Sequence, residues 1–285
     1  MITTITAYWN RPEMLRRWLK ALKTATADPK IGSQVESIVF FAGDRIPEGL
    51  HQDGVRFIRC EVPKLGDRLS IGYFHNMGAK MASHEWIMKL DVDAMPNIRY
   101  FEKLIPLLRK AKPRQWFNGG MFYINKTYSE RCLDIDCDLL GEKNYKDLVH
   151  RIMVTSGQVY RLPAATNFIC RAEDYLKLGG CDQRFRGYGW EDYQQIYMLE
   201  RYQQGKDPLP GVIALNNVSE RCRNEISRPK ARELYMESEF LALLHHWHPG
   251  SNDASYKTRL ILDENRTILL DYITQARITS NCVLV

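Results

Sequence analysis

Two aspartates, Asp91 and Asp93, stand one residue apart where an apolar run, Trp86 to Leu90, gives out, and Pro96 follows closely. In an extended segment, side chains two apart share a side, so the pair converges if strand geometry persists past Leu90. Two ionised carboxylates that close repel each other, and a bound divalent cation is the common remedy. A hard ion such as Mn²⁺ or Mg²⁺ would also hold the diphosphate of a nucleotide. The plainer alternative is a capping Asp91 and a solvated Asp93, and a bare D-x-D recurs often by chance. A second acid pair, Glu191 and Asp192, stands where a helix is expected to begin, behind glycines and clustered aromatics in GYGWED. Acids there either take part in proton chemistry or only complement the positive helix end. Further on, LLHHWHPG at 243–250 places three of the seven histidines in four positions. On a helix His245 and His248 share a face, a workable spacing for one metal, although histidines also suit a C-terminal dipole.

The elements that must position these groups follow from the apolar pattern. Met1 to Tyr8, Glu36 to Ala42, Val55 to Val62 and Glu85 to Leu90 read as strands, the last a buried one. Asn10 and Pro12 open a helix whose apolar residues Met14, Leu15, Trp18, Leu19 and Leu22 recur at helical spacing. Arg68 to Ala82 reads as a second helix, and Asn97 to Lys110 as a third that Pro106 is expected to kink or end early. Strands alternating with helices predict a doubly wound, mostly parallel sheet with helices on both faces. Later, Gln115 to Asn125 contains a strand, and 126–161 is polar and without period, an insertion or loop with one or two short helices. Ala165 to Arg171 reads as a strand, Asp174 to Leu178 and Glu191 to Gln204 as helices, and Val212 to Leu215 as a last strand. Arg228 to His246 has helical composition, and Ile261 to Ile278 suggests a closing helix.

Composition narrows the class without naming an activity. Of 285 residues, 45% are apolar and 26% charged, ordinary for a globular chain able to bury a large core. The net charge of +6 is compatible with an anionic ligand or an acidic membrane surface, but the basic residues are scattered, and no nucleic-acid partner is expected. The start lacks the pattern of a secretory signal and no window approaches the roughly 18 apolar residues of a span, so a cytoplasmic protein is expected. Peripheral association with the inner face of the cell membrane is compatible with that. Seven cysteines without a CxxC pair argue against a disulfide framework and a zinc site.

In FHNMGAKMASHEWIMKLDVDAMP an Asn-x-Gly helix leads into the apolar strand and then D-x-D. With the opening TAYWNRP, with FFAGD, and with the segment GGCDQRFRGYGWEDYQQIYMLERY, this resembles the family 2-like glycosyltransferases of the GT-A fold over roughly the first 250 residues. The resemblance implies one domain over 1–250, a nucleotide-binding half at 1–96 and an acceptor half at 97–250, followed by a C-terminal helical extension at 251–285. It implies that Thr6, Ala7 and Tyr8 border the uracil of a UDP-sugar, with Arg11 nearby. Asp44 would contact base or ribose, Asn76 and Lys80 would line the donor site, and Asp91 would face ribose or metal. Asp93 would be the principal ligand of Mn²⁺ or Mg²⁺, completed by His245 and His248. On the acceptor side Asp192 would be the base, Glu191 would bond sugar hydroxyls, Tyr188 and Trp190 would stack on a sugar, and Gly187 and Gly189 would let the backbone approach it. Arg221, Arg223 and Arg228 would form a lid over the diphosphate.

The implied activity is an inverting, metal-dependent transfer from a UDP-sugar to a glycan or lipid-linked sugar, in the setting of bacterial surface polysaccharide. The alternatives are a retaining transferase of the same fold or a sugar-nucleotide or glycan-binding protein. A sugar nucleotidyltransferase would carry a glycine-rich basic loop where AYWNRPE stands, and a glycosidase has no use for D-x-D with histidines.

Overall fold

The computed structural model describes residues 1–9, 11–41, 49–50, 52–60, 70–118, 121–124, 126–127, 129, 160–161, 167–187, 189–203, 243–245 and 263–271. Its centre is a six-stranded sheet. Strand β1 (Ile2–Tyr8) lies between β2 (Val35–Phe41) and β4 (Trp86–Lys89), with β3 (Val55–Arg59) outside β2, and all three pairings are parallel. Beyond β4 come β9 (Phe168–Arg171) and β6 (Phe117–Asn118), paired antiparallel. This is the mostly parallel α/β sheet expected. Every residue of β4 is buried, as a central strand covered on both faces must be.

Alternation along the strands sorts the core into two layers. Ile2, Tyr8, Val39, Phe41, Trp86, Met88 and Leu90 face α1 (Pro12–Ala25) and α4 (Tyr100–Arg109), where Trp18, Leu22, Phe101 and Leu104 meet them. Ile5, Ile38, Phe40 and Ile87 face α3 (Ile71–Met81), α5 (Ala172–Lys177) and α6 (Glu191–Gln203) through Phe74, Tyr175, Met198 and Leu199. A four-residue helix, α2 (Pro29–Gly32), joins α1 to β2. All five residues expected on the apolar face of α1 are buried. Pro12 opens this helix as expected, while the N-cap position falls to Arg11, which makes no side-chain cap bond, and Asn10 lies outside the described residues. Helix α4 runs through Pro106 to Arg109 instead of ending early, because Pro106 is exposed while Leu104, Ile105 and Leu108 anchor the turns around it. In α3, Gly78 permits close packing, since a Cβ there would lie 2.5 Å from Ile5 on β1.

A second, four-stranded sheet carries the order β5-β10-β7-β8, formed by β5 (Ala94–Met95), β10 (Leu243–His245), β7 (Met121–Tyr123) and β8 (Tyr160–Arg161). Here the helical reading of 228–246 is corrected for its last residues. Leu243 and Leu244 are fully buried, and the extended segment pairs antiparallel with β5 and parallel with β7, so long-range pairing overrides local helical composition. Residues 212–215 lie outside the described residues. No helix among the described residues is long and apolar enough to cross a membrane.

Candidate functional site

The strand geometry assumed for D-x-D stops at Lys89. Residues 91–94 form a turn, closed by the Ala94 N–H donating to the Asp91 carbonyl at 2.9 Å, and β5 leaves in a new direction. The turn lies past the carboxyl end of β4, where ligands of parallel sheets bind. Register then imports the histidine: β10 places His245 opposite Ala94, and His245 Nε2 stands 3.6 Å from Asp93 Oδ1. Arg11, just past β1, donates to the other Asp93 oxygen at 2.9 Å. Three segments, separated by 82 and 152 positions, thus meet at one carboxylate. The His245 and His248 pairing on one helix face is overturned, because His245 sits in a strand; His248 lies outside the described residues. Among those residues no group of three His, Cys, Asp or Glu side chains gathers as a metal cluster. An oxygen and a nitrogen donor this close are the chemistry that Mn²⁺ accepts.

The second acid pair arrives at the same edge. Glu191 and Asp192 open α6, and Asp192 forms an ion pair with Lys89, the last residue of β4 and only 3% exposed. Lys89 is a candidate site residue that motif reading passes over, although a lysine inside WIMKL is the visible signal. Alternation sends it to the α3 and α6 side, beside buried His75. Burial alone would lower its pKa, but Asp192, Asp91 and Glu191 hold it above the ordinary lysine value. Burial pushes the Asp91 carboxyl up to about 7, with Asp93 and Asp192 adding repulsion against the pull of Lys89 and Arg11. Asp91 therefore feels both the histidine-facing acid and the α6 acid. Glu191 rises to about 8 through burial and the charge of Asp192, opposed by Lys89 and its own backbone N–H, and its Oε2 is buried with no hydrogen-bond partner among the described residues.

Several residues expected around the donor take other places. Thr6 is fully buried and its hydroxyl donates to the Leu90 carbonyl at 2.7 Å, tying β1 to β4 at the edge of the site. Tyr8 is only 6% exposed and its ring lies in the core, whereas Trp9, the next residue, is 50% exposed and is the free aromatic at the end of β1. Strand alternation was the signal for that difference. Ala7 is half-buried between them. Asn76 binds the chain before the second acid pair: Nδ2 donates to the Cys181 carbonyl at 2.8 Å, while Oδ1 accepts the Cys181 N–H at 2.9 Å and the Tyr175 hydroxyl at 3.0 Å. Both ends of its amide are engaged, so Asn76 fastens the loop before α6 instead of lining a donor pocket. Lys80 is exposed in the last turn of α3. Because α3 runs back against the sheet, that turn lies near the start of β4, with Met81 and Ser83 bonded to Arg56 and Glu36. Lys80 is thus at the opposite edge from Asp91.

The loop into α6 has unusual backbone. Gly187, Gly189 and Trp190 have φ of 62°, 100° and 75°. Left-handed φ is free for glycine but costs a bulky residue about 1–3 kcal/mol, a cost met only where surroundings hold it. Trp190 is partly buried, its ring 5.3 Å from that of Tyr193. Asp44, Tyr188, Arg221, Arg223 and Arg228 lie outside the described residues.

Comparison with solved structures finds distant likenesses of the chain path. The catalytic domain of Drosophila β1,4-galactosyltransferase 7 in complex with xylobiose is 13% identical, with 80% of this chain and 82% of that one covered and a TM-score of 0.35. GalNAc-T7 with UDP, GalNAc and Mn²⁺ is 16% identical, with 70% and 40% covered and a TM-score of 0.48. Glucosyl-3-phosphoglycerate synthase from Mycobacterium tuberculosis, in complex with Mn²⁺, UDP and phosphoglyceric acid, is 15% identical, with 88% and 80% covered and a TM-score of 0.44. No curated protein matches the chain. The sequence itself matches the family described as Glycosyltransferase like family 2 over residues 62–233, more than half its length, a span that contains the D-x-D turn, Lys89 and the α6 acid pair. The chain belongs to the family 2-like glycosyltransferases, on a GT-A fold.

Proposed function

We propose that the chain transfers a sugar, with inversion, from a UDP-sugar to a hydroxyl of a glycan or lipid-linked saccharide, with Mn²⁺ or Mg²⁺ as cofactor. The observation that carries this reading is the meeting of two acid groups at one sheet edge. Asp93 faces His245 and Arg11, while Asp192 is held by Lys89, and Asp91 is electrostatically coupled to both. Asp93 and His245, with His248, would hold the metal, which when bound offsets the charge of the diphosphate. Arg11 adds a fixed cation beside it. Asp91 and Asp44 would meet ribose or base, and the exposed Trp9 offers the base a stacking face that Tyr8 lacks.

Asp192 takes the proton of the attacking hydroxyl as its oxygen bonds the anomeric carbon and the bond to UDP breaks. A base must be fixed in direction, and the Lys89 ammonium paired with Asp192 supplies that. Glu191, held protonated by burial, would donate to or accept from a sugar hydroxyl, and Trp190 with Tyr188 would face the acceptor. Surface polysaccharide synthesis is the setting this chemistry suits, with the enzyme working in the cytoplasm or at the inner membrane face. The division into nucleotide-binding and acceptor halves follows the same reading. The test is a panel of UDP-sugars with and without Mn²⁺, scored by thermal shift and by UDP release. A metal-dependent shift with release supports transfer, and the anomer of the product, read by NMR, decides inversion. A shift without release under any acceptor would favour a binding protein.

A further inference from the structure

The helix at 263–271 lies outside the residues that match the family, yet it is bonded to the loop that leads into α6. Asn265 is 1% exposed. Its Nδ2 donates to the carbonyls of Arg186 at 2.7 Å and Gly189 at 3.0 Å, and its Oδ1 accepts the Arg186 N–H at 3.1 Å. One amide thus grips the backbone just before Gly187 and again at Gly189. The Gly189 carbonyl belongs to the peptide plane that joins Gly189 to Trp190, so fixing it restrains the left-handed φ of Trp190, which no glycine freedom excuses. The same helix sends Leu269 into a small apolar cluster with Cys181 and Phe185, against which Trp190 and Tyr193 pack, and its Asp271 pairs with Arg184. From the other side Asn76 fastens residue 181, and Gly180 (φ 68°) leaves room for it, since a Cβ there would lie 2.4 Å from the Asn76 oxygen. Asn265 also heads an Asn-Arg-Thr sequon, and its burial leaves no space for a glycan.

We infer that Asn265 is a positioning residue for the acceptor loop: it holds the peptide between Gly189 and Trp190 in the strained conformation that presents Trp190 and the acid pair to an acceptor. Transfer then depends on a helix outside the region of the family match. The catalytic meaning of this clamp rests on the proposed transfer, whereas the clamp itself does not.

The test uses the full chain with Asn265→Asp, which keeps the shape and the bond from the Arg186 N–H but sets a carboxylate against two carbonyls. Asn265→Ser, smaller and neutral, serves if the aspartate variant fails to fold. Hydrogen exchange read by mass spectrometry, without substrates, is expected to rise about tenfold for peptides spanning 186–191 while those of β1 and β4 stay protected. In kinetics with the active UDP-sugar, the acceptor KM rises and kcat falls, together about tenfold or more, while the dissociation constant of UDP with Mn²⁺ changes less than about twofold. Unchanged exchange at 186–191, or loosening spread equally through the sheet, overturns the clamp. Equal losses in donor and acceptor binding overturn its acceptor-specific role. A wild-type chain that transfers nothing from any UDP-sugar removes the proposed function, and the exchange measurement still decides the clamp.

Discussion

Glu36 and Glu191 are both glutamates of the central sheet region, one at its amino edge and one at its carboxyl edge, and the fold treats them in opposite ways. Partial burial would raise Glu36, but the Ser83 N–H at 2.9 Å, the Thr3 hydroxyl at 2.7 Å, Arg56 at 2.7 Å and the Ser83 hydroxyl at 3.0 Å hold its carboxyl down to about 2. At Glu191 burial is reinforced by Asp192, Oε2 has no partner among the described residues, and the carboxyl rises to about 8. A carboxylate that the protein itself satisfies is a fastener. A buried acid short of donors is costly to the fold alone and is completed by something that arrives, a hydroxyl or a cation. The amino edge therefore uses its glutamate to hold the chain together, while at the carboxyl edge Glu191 is left short of donors among the described residues.

The contrast breaks most visibly at Asp192. Asp192→Asn is expected to reduce transfer by about 10³-fold or more while UDP affinity with Mn²⁺, measured calorimetrically, stays nearly the same. Near-normal turnover would sink the assignment. Removing the buried cation tests the same edge through stability. Lys89→Met leaves Asp192, Asp91 and Glu191 without their shared partner and is expected to cost about 3–5 kcal/mol in urea unfolding. The double variant Lys89→Met/Asp192→Asn should recover a large part of it, because the uncompensated charge goes too. Full additivity of the two changes would mean that the ion pair holds nothing.

What was legible in the sequence follows the same division. The strands and helices of the sheet were readable because each carries its own periodicity: the apolar stripe of α1 and the continuous run of β4 report burial directly. The candidate acids were readable because motifs keep them adjacent. Partnerships across the fold were not readable from local pattern, and only the resemblance implied that His245 joins Asp93. His245 reaches Asp93 only through the register of β10 against β5, and local composition at 228–246 points to a helix instead. Lys89 looks like an interruption in an apolar strand until α6 supplies its partner. Asn76 and Lys80 were drawn toward the donor by the position of their helix in the motif, but helix direction carries Lys80 to the far edge, and three hydrogen bonds give Asn76 to the loop.

At the amino edge the expected effect is smaller and confined to folding. Glu36→Gln removes an acid whose folded value lies below its unfolded value of about 4.5, so its contribution is fully present above that pH and is lost as pH falls toward about 2. A cost of about 2 kcal/mol at pH 7 is expected from denaturant unfolding, with the wild-type and variant curves converging only as pH falls to about 2. The kcat of transfer should be unchanged. A loss of transfer at full stability would dissolve the distinction between the two edges.

The smallest effect and the most direct check of the comparison is Glu191→Gln. Here the sign reverses. A carboxyl raised to about 8 keeps in the folded state a proton that the unfolded chain releases near 4.5, so stability falls as pH rises between those values. Glutamine has nothing to release. At pH 8 the variant is therefore expected to be more stable than wild type by about 1–2 kcal/mol, a few degrees in Tm, and at pH 5 to differ by less than about 0.5 kcal/mol. Thermal unfolding of both proteins, metal-free, at half-unit steps from pH 5 to 8.5 reads the slope. If the two lines run parallel, Glu191 is ionised in the fold and sustained by Lys89 as Glu36 is by its donors. The carboxyl edge would then be as self-sufficient as the amino edge, and an arriving hydroxyl would have no deficit to fill.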